Sequence, residues 1–211
     1  MIFHLLMAKA AIAQNIYSSE HWKSRDKWQN VPAIFEAMGI QKGDAVADIG
    51  CHEGYMTFKF AKQVGTSGKV YAVDVNRSRI STLKSMLKEQ QINHVETIVG
   101  DYDNPKLPAN SLDYVFIMDT YHEMDDYMDI LGHIKKALKP GGKIVIMEPI
   151  AKERRGWSRS KQEAKHEIDM KYVIDDLKKA GYKILRQEDP FIDRTKKKKD
   201  VLWLLIAEVS E

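Results

Sequence analysis

Short apolar runs alternate with longer amphipathic segments from Ala45 almost to the last residue of the sequence. Five of these runs are too short for helices and are rich in β-branched or aromatic residues, which indicates strands. The predicted strands are Ala45–Ile49, Lys69–Val73, Val95–Val99, Leu112–Met118 and Lys143–Met147. Because their apolar residues are largely continuous, we expect both faces of the sheet to be covered.

The segments between the runs have helical periodicity. In Arg77–Gln91, for example, Ile80, Leu83 and Leu87 share one face. The other predicted helices are Tyr55–Val64, Asp126–Leu138, which ends before Lys139-Pro140-Gly141-Gly142, and His166–Ala180, which ends at Gly181. Alternation of this kind predicts an α/β fold, a mainly parallel sheet with helices on both faces.

Two further predicted strands, Tyr182–Arg186 and Val201–Val209, have no helix between them. Their connection, Asp189–Asp200, has the composition of a turn and contains the run Lys196–Lys199, which we interpret as a solvated hairpin tip. The last strand should therefore enter the sheet as part of a hairpin, antiparallel to the others. This gives seven strands.

The composition is that of a globular protein, since 44% of the 211 residues are hydrophobic and 30% are charged. It excludes a disordered, collagen-like or multi-span membrane chain. The formal net charge of +3 is too small to predict nucleic-acid binding, although it leaves anionic small molecules open. Cys51 is the only cysteine, so an intramolecular disulfide and a cysteine-only zinc site are excluded.

We predict an N-terminal segment or cap over residues 1–30 and a main domain over residues 31–211. Ala11-Ile12-Ala13 has the small-x-small form of a signal-peptidase site, but no basic residue precedes Ile2–Met7, and Lys9 follows it. We therefore expect a short helix or tail and a cytoplasmic protein, with an export signal in residues 1–13 as the alternative. No run of about 20 apolar residues predicts a membrane span.

Acidic residues follow several of the predicted strands. Ligands of open parallel sheets bind at the carboxyl ends of the strands, so these residues are the first candidates for a site. The loop Asp48–Gly54 contains two glycines that let a ligand approach the backbone closely. Asp74 can accept both hydroxyls of a ribose, Asp101 can accept from an adenine amine, and Tyr102 can offer its ring. Together they predict a pocket for a ligand that carries adenosine.

A nicotinamide dinucleotide is the alternative ligand. Its fingerprint is G-x-G-x-x-G, whereas this loop reads G-x-x-x-G from Gly50 to Gly54. Asp48 and Glu53 also place carboxylates there, which disfavours a pyrophosphate. The same carboxylates suit a ligand that carries an amine or a sulfonium.

The sequence resembles the class I S-adenosylmethionine-dependent methyltransferases over roughly Val31–Val209. The matching pieces, in order, are VADIGCHEG, VYAVDVN, GDYDNP followed by LP, LDYVFIMDTYHEM and LKPGGKIVIMEP. The resemblance implies a Rossmann-like seven-stranded sheet and S-adenosyl-L-methionine as cofactor. One departure is His52, which stands where the family usually has a glycine.

The resemblance also implies cofactor-binding roles for individual residues. Gly50 and Gly54, with Asp48, match the loop around the methionine part of the cofactor. Asp74 matches the acid that binds the ribose, and Asp101 with Tyr102 matches the pair that binds adenine. Asp119 falls where groups often contact the cofactor amine.

The candidate catalytic residues are Tyr121, His122 and Glu123, which follow the fourth predicted strand. His122 has the pKa range of a general base near neutral pH, and Tyr121 or Glu123 could orient it or the substrate. The alternative is that His122 only begins a helix. Asp119 and Glu148 end neighbouring strands, and His122 and His166 fall in the same region of the predicted fold, but we predict no metal site.

Two other segments are candidates for the substrate side of the site. Ile150–Lys165 is basic and contains Trp157, so it can act as a lid that selects an anionic or aromatic substrate, or it is a solvated connector. Tyr17–Trp28 is rich in aromatic and charged residues. We expect it to fold over the cofactor through Trp22 and Arg25, the alternative being a helix packed on the sheet edge.

These features predict an S-adenosylmethionine-dependent methyltransferase that acts on a small molecule. An RNA or protein methyltransferase is the alternative among enzymes, although the mild charge argues against RNA. A non-catalytic S-adenosylmethionine-binding protein on the same fold is the alternative outside enzymes. The sequence leaves the acceptor and the oligomeric state open.

Overall fold

The computed structural model describes residues 19–210 of the protein. The predictions that concern residues 1–18, among them the alternative export signal in residues 1–13, lie outside the described residues. Across residues 19–210, no helix is both long and apolar enough to cross a membrane.

Seven strands of the described chain form one sheet: β1 (Ala45–Ile49), β2 (Lys69–Asp74), β3 (Val95–Val99), β4 (Leu112–Met118), β5 (Leu138–Ile150), β6 (Tyr182–Asp193) and β7 (Val201–Val209). Their order across the sheet is β3-β2-β1-β4-β5-β7-β6. Strands β1 to β5 pair in parallel, whereas β7 runs antiparallel to both β5 and β6. The predicted α/β fold, with a mostly parallel sheet and an antiparallel final hairpin strand, is confirmed.

The helices of residues 19–210 are α1 (Ser19–Gln29), α2 (Val31–Met38), α3 (Tyr55–Val64), α4 (Arg77–Glu89), α5 (Tyr127–Ala137), α6 (Arg159–Glu163), α7 (Met170–Lys179) and α8 (Thr195–Lys198). Short 3-10 turns cover Tyr121–Glu123 and Lys152–Arg154. Helices α5 and α7 cover one face of the sheet through residues such as Leu131 and Leu177. Helices α2, α3 and α4 cover the other face through Ile34, Phe60 and Leu83.

Helix α7 begins later than the sequence predicts. The prediction placed its start at His166, but the helix begins at Met170. The reason is local, because the Asp169 side chain accepts a hydrogen bond from the Lys171 backbone N–H and caps the first turn. His166 precedes the helix with a φ of 57° and lies in the left-handed region.

Strands β5 and β6 are longer than predicted. Strand β5 already begins at Leu138, where the sequence predicts the end of a helix. Strand β6 continues beyond Arg186 to Asp193, and helix α8 takes the place of an irregular turn. Pairing with β7 continues as far as Asp193, opposite Val201, across irregularities in register. This pairing accounts for the extra length of β6.

Trp203 connects the sheet to the segment that follows β5. Its side chain is fully buried in β7, where it lies opposite Glu148 of β5. The indole N–H donates a hydrogen bond to the Ile168 carbonyl at 2.8 Å. The Ile168 backbone N–H donates in turn to the Pro149 carbonyl at 3.1 Å. The segment between β5 and α7 is thus fixed against the sheet.

Replacing Trp203 with Phe should lower the free energy of unfolding by about 2–4 kcal/mol, because the Ile168 carbonyl loses its buried donor and the smaller ring leaves a cavity. Urea unfolding measures the change. Trp157→Phe is the matched control, since Trp157 is partly exposed and should change stability by less than about 0.5 kcal/mol. Equal losses in the two variants would contradict the role assigned to the indole N–H.

Candidate active site

The loop between β1 and α3 turns sharply at the carboxyl edge of the sheet. Gly50 and Gly54 have φ values of 74° and 90°, which glycine adopts without strain. The Gly50 backbone N–H donates to the Val73 carbonyl at 2.8 Å and joins the loop to β2. A Cβ at Gly50 would overlap the Thr120 side chain. The glycine is therefore required for the loop to lie against the turn after β4.

His52 occupies a backbone position that favours glycine, with a φ of 49°. Its side chain is half exposed and lies beside the Glu53 carboxylate. Burial lowers the pKa of the imidazole, and the nearby Arg79 lowers it further. His52, the residue at which the loop departs from the family pattern, therefore lies at the rim of the loop with its ring partly in solvent.

A cavity of about 490 Å³ lies beside this loop at the carboxyl ends of β1 to β4. Gly50, Asp74, Asp101 and Tyr102 all line it, so the structure brings these four predicted site residues together. Tyr102 is highly exposed and lies at the surface of the cavity. The carboxyl edge of the sheet thus holds the predicted constellation in one concave site.

The two acids of this cavity are held differently. Asp74 is buried, and its two oxygens accept hydrogen bonds from the backbone N–H groups of His52 at 3.0 Å and Asn76 at 2.8 Å. Each carboxylate oxygen has a further lone pair for the hydroxyl of a ligand. Asp101 is exposed and pairs with Lys106 at 2.8 Å.

A second cavity, of about 230 Å³, shares Gly50 and His52 with the first. Its walls include Asp48 from the end of β1, Asp119 from the end of β4 and Arg25 from α1. The two carboxylates suit a cationic group, and the guanidinium suits a carboxylate. The donor set therefore fits the two ends of an amino acid.

Asp48 is the most strongly perturbed acid of the site. It is buried, and burial raises the pKa of its carboxyl group to about 6, although a hydrogen bond from the Thr57 hydroxyl opposes the shift. That hydrogen bond spans 2.6 Å from Thr57 Oγ1 to Asp48 Oδ2. A carboxylate held in this way is destabilised until a positive charge binds beside it.

Asp119 is held at the end of β4 in the left-handed region, with a φ of 56°. Its backbone N–H donates to the Met147 carbonyl at 2.9 Å, which continues the pairing of β4 with β5. Its Oδ2 lies 3.7 Å from Nη1 of the buried Arg194. The Asp119 charge is thus partly balanced within the chain.

Helix α1 carries Arg25 to the second cavity. The Trp22 ring packs on Tyr55 and Phe58, with centroid distances of 6.0 Å and 5.2 Å. The Arg25 guanidinium lies 4.1 Å from the centroid of the Tyr55 ring, and Asp26 accepts from the Tyr55 hydroxyl at 2.6 Å. These contacts fix α1 across the start of α3. Trp22 serves as the packing anchor, whereas Arg25 faces the cavity.

His122 and Glu148 form a buried pair behind the first cavity. Nδ1 of His122 lies 2.5 Å from Oε2 of Glu148, and both side chains are almost fully buried. Burial lowers the pKa of His122, but the hydrogen bond and charge of Glu148 outweigh this effect and raise it above its usual value. The sequence suggests Tyr121 or Glu123 as the residue that orients His122. The structure places Glu148 against its Nδ1 and Glu123 near its Nε2, whereas Tyr121 bonds elsewhere.

Tyr121 points away from both cavities. Its ring is fully buried, and its hydroxyl donates a hydrogen bond to Asp176 of α7 at 3.1 Å. Burial and the Asp176 charge raise its pKa. The predicted catalytic trio is therefore divided, with Tyr121 packed in the core while Glu123 lines the first cavity and the buried His122 contacts it.

Glu123 is the member of that trio that lines the first cavity. Its Oε1 lies 3.3 Å from His122 Nε2 and 2.5 Å from His166 Nδ1. His166 comes from the segment between β5 and α7. The contact between Glu123 and His166 was not predicted, since only the folded connection brings these two residues together.

The arginines of the basic segment pair with acids of the chain. Arg155 donates to Asp189 at 2.5 Å and 2.6 Å, and Arg159 donates to Asp176 at 2.6 Å. Arg154 likewise bonds to Glu167. These pairs hold the segment on the fold, so its three arginines are already paired with acids where the sequence suggested a lid that recognises anions.

Residues 40–203 match a family model described as a methyltransferase domain. The demethylmenaquinone methyltransferase of Geobacillus sp. (strain WCH70) is 34% identical over 122 residues, which are 58% of this chain and 51% of that protein. The chain spans about half the length of the curated relatives it matches.

Solved structures agree in fold. A S-adenosylmethionine-dependent methyltransferase from Aquifex aeolicus aligns with a TM-score of 0.75 and 21% identity, over 93% of this chain and 96% of that one. Phosphoethanolamine N-methyltransferase 2 of Haemonchus contortus, in complex with S-adenosyl-L-methionine, aligns with a TM-score of 0.67 and 18% identity, over 87% of this chain and 52% of that one. By its family match and its sheet topology, the chain belongs to the class I S-adenosylmethionine-dependent methyltransferases.

Proposed function

We propose that this enzyme methylates a small organic molecule that reaches the cavity beside Glu123. S-adenosylmethionine supplies a methyl group activated by its attachment to a sulfonium. The observation that carries the proposal is the position of Glu123, which lines the same cavity as Asp74 and has His122 directly behind it. Acceptor chemistry and cofactor binding can thus share one site.

We propose that the cofactor is bound by the residues that line the two cavities. Asp74 accepts the ribose hydroxyls, while Asp101 and Tyr102 contact the adenine. Asp48 and Asp119 receive the amine, with the backbone of the Gly50–Gly54 loop between the two sets. The support is geometric, because the two cavities meet at Gly50 and His52, so that one extended ligand can occupy both.

Arg25 is proposed to pair with the carboxylate of the methionine part. It lines the smaller cavity together with Asp48 and Asp119, and its guanidinium is fixed by the Tyr55 ring. This makes α1 part of the binding site. The described part of the N-terminal segment, residues 19–30, is thus proposed to cap the cofactor-binding part of the domain of residues 31–211.

The acceptor must lose a proton when it gains a methyl group. Glu123 is proposed to accept this proton as the polar side chain that faces the cavity, with His122 and His166 hydrogen-bonded to it. Placing donor and acceptor in one cavity contributes the rest of the rate acceleration through proximity.

We propose an aromatic, hydroxylated acceptor. The curated relatives are named for demethylmenaquinone, an aromatic compound in its reduced form. Next to Glu123 the cavity wall is apolar, with Met124 and Ile130. An apolar wall beside a carboxylate suits a flat ring that carries a hydroxyl group. The balanced arginines of the basic segment give an anionic acceptor less support.

Asp74→Asn should weaken binding of S-adenosylmethionine and of its demethylated product by about 10- to 100-fold, because a charge-assisted hydrogen bond to the ribose is lost. The remaining carbonyl oxygen keeps one of the two backbone hydrogen bonds, so thermal unfolding first verifies that the variant is folded. Isothermal titration calorimetry measures both affinities. Asp103→Asn, at an exposed position, is the matched control. Unchanged affinity in Asp74→Asn would rule out the ribose assignment.

Asp48→Asn should stabilise the cofactor-free protein at pH 8 by roughly 1–3 kcal/mol. Because burial raises the pKa of Asp48 to about 6, its ionised form destabilises the fold above that pH. The cost of ionised Asp48 in the folded state disappears as pH falls towards the usual pKa of an aspartate. The extra stability of Asp48→Asn should therefore shrink between pH 6 and pH 4. Thermal unfolding at several pH values tests this, with exposed Asp175→Asn as control. A gain that is independent of pH would contradict the assignment.

Glu123→Gln should lower turnover by about 10²- to 10⁴-fold while leaving cofactor affinity unchanged, because the proton acceptor is removed. Formation of the demethylated cofactor is measured with reduced demethylmenaquinone, simple phenols and amines. Glu153→Gln is the matched control, since Glu153 is exposed, pairs with Arg154 and lines neither cavity. Full activity of Glu123→Gln would refute the role, and no turnover with any acceptor would favour a non-catalytic binding protein.

A further inference from the structure

Three side chains next to the first cavity have the composition of a metal site. His122, Glu123 and His166 each place one potential ligand atom within 4.8 Å of the others. The two imidazole rings are nearly perpendicular, with centroids 5.8 Å apart, and the Glu123 carboxylate lies against both. Two imidazoles and one carboxylate are a recurrent ligand set for transition-metal ions with open coordination positions.

His122 is already oriented as a ligand. A metal-binding histidine typically donates its second ring N–H to a carboxylate, which fixes the tautomer and the orientation of the ring. Here Nδ1 lies 2.5 Å from Glu148, which leaves Nε2 directed at Glu123. The other oxygen of Glu148 accepts the backbone N–H groups of Thr120 and Tyr121 at 2.7 Å and 2.8 Å. The buried carboxylate thus fixes both the ring and the turn that carries it.

His166 is held in place by its backbone. Its φ of 57° is uncommon for a residue other than glycine, and its N–H donates to the Glu163 carbonyl at 2.8 Å. The next two residues are anchored, Glu167 by the Ala151 backbone N–H and by Arg154, and Ile168 by the sheet. The imidazole remains exposed while its backbone is fixed, so it can adjust to a ligand.

We propose that His122, Glu123 and His166 bind a divalent transition-metal ion of the zinc type at the mouth of the substrate cavity. Ligand atoms of tetrahedral zinc lie about 3.3 Å apart, since each is about 2.0–2.1 Å from the metal. The distance from His122 Nε2 to Glu123 already has this value, at 3.3 Å. The ligand atom of His166 lies within 4.8 Å of the other two, and its exposed ring has room to turn towards the ion. Calcium and magnesium are disfavoured, because they prefer sites made only of oxygen ligands.

The role of this ion rests on the proposed methyl transfer, whereas its binding does not. Three protein ligands leave a position open towards the cavity that Glu123 lines. There a hydroxyl oxygen of the acceptor can bind to the metal. The metal lowers the pKa of that hydroxyl, so its proton passes to the Glu123 oxygen that does not bind the ion, and the acceptor oxygen carries the charge that activates the acceptor.

The test uses the full chain without a histidine tag, treated with a chelator and then titrated with Co²⁺ as a spectroscopic probe. Visible absorption of the cobalt complex reports ligand number and saturates at one equivalent if the site exists. Zn²⁺ should displace the cobalt and abolish the absorption. Absence of saturable binding would overturn the proposal.

Variants separate this site from other histidines. His166→Ala should weaken Co²⁺ binding by at least about 10-fold, and Glu148→Gln by about 10- to 100-fold through the orientation of His122. His133→Ala on α5 is the matched control and should bind as the parent does. Equal affinity of the parent and His166→Ala would overturn the proposal, since His166 is exposed and its removal leaves the fold intact.

Turnover distinguishes the metal role from the proposed function. Activity that is lost after chelation and restored by Zn²⁺ or Co²⁺ supports both the role of the metal and the proposed methyl transfer. Full activity in the chelated protein would overturn the role of the metal and leave the methyl transfer standing. Stoichiometric cobalt binding without turnover on any acceptor would refute the proposed function and retain the metal site.

Discussion

Glu148 is a fully buried carboxylate, and such a group is stable only where donors surround it. Its oxygens receive the backbone N–H groups of Thr120 and Tyr121 and the ring of His122. One acid at the end of β5 therefore holds the end of β4, the first turn after it and the imidazole of the substrate side. If Glu148 were removed, the backbone N–H groups of Thr120 and Tyr121 and the His122 ring would lose their hydrogen-bond partner together. The turn after β4 therefore depends on this one carboxylate.

The cofactor side is connected to this centre through Thr120. The glycine loop lies so close to the Thr120 side chain that a Cβ at Gly50 would overlap it. Since the Thr120 backbone is bonded to Glu148, the loop and the acceptor side are positioned against one rigid turn. A methyltransferase needs its methyl donor and acceptor aligned within a fraction of an ångström, and shared support of this kind provides the alignment.

Local sequence signals were sufficient for the fold and for one side of the site. The strand runs and the acids after them predicted that Asp74, Asp101 and the glycine loop share the carboxyl edge of the sheet, and the structure brings them to one cavity there, because each position follows from the end of its own strand. Glu148 also ends a strand, but its partners lie in another strand's turn, which no local pattern reveals. The same holds for Arg155 and Asp189, which bond across more than thirty residues. The orientation of Tyr121 could not be predicted from the sequence either, because the turn directs Glu123 to the cavity and Tyr121 to Asp176.

The position of β7 has a consequence for the synthesis of the chain. In space β7 lies between β5 and β6, although it follows both in the sequence. On the ribosome, the strands β1 to β5 can pair while β7 is still absent. The outer edge of β5, with its apolar residues Ile144 to Met147, then stays unpaired until the last strand emerges. An open apolar edge can pair with other chains, so the nascent protein is exposed to such pairing until β7 has been translated.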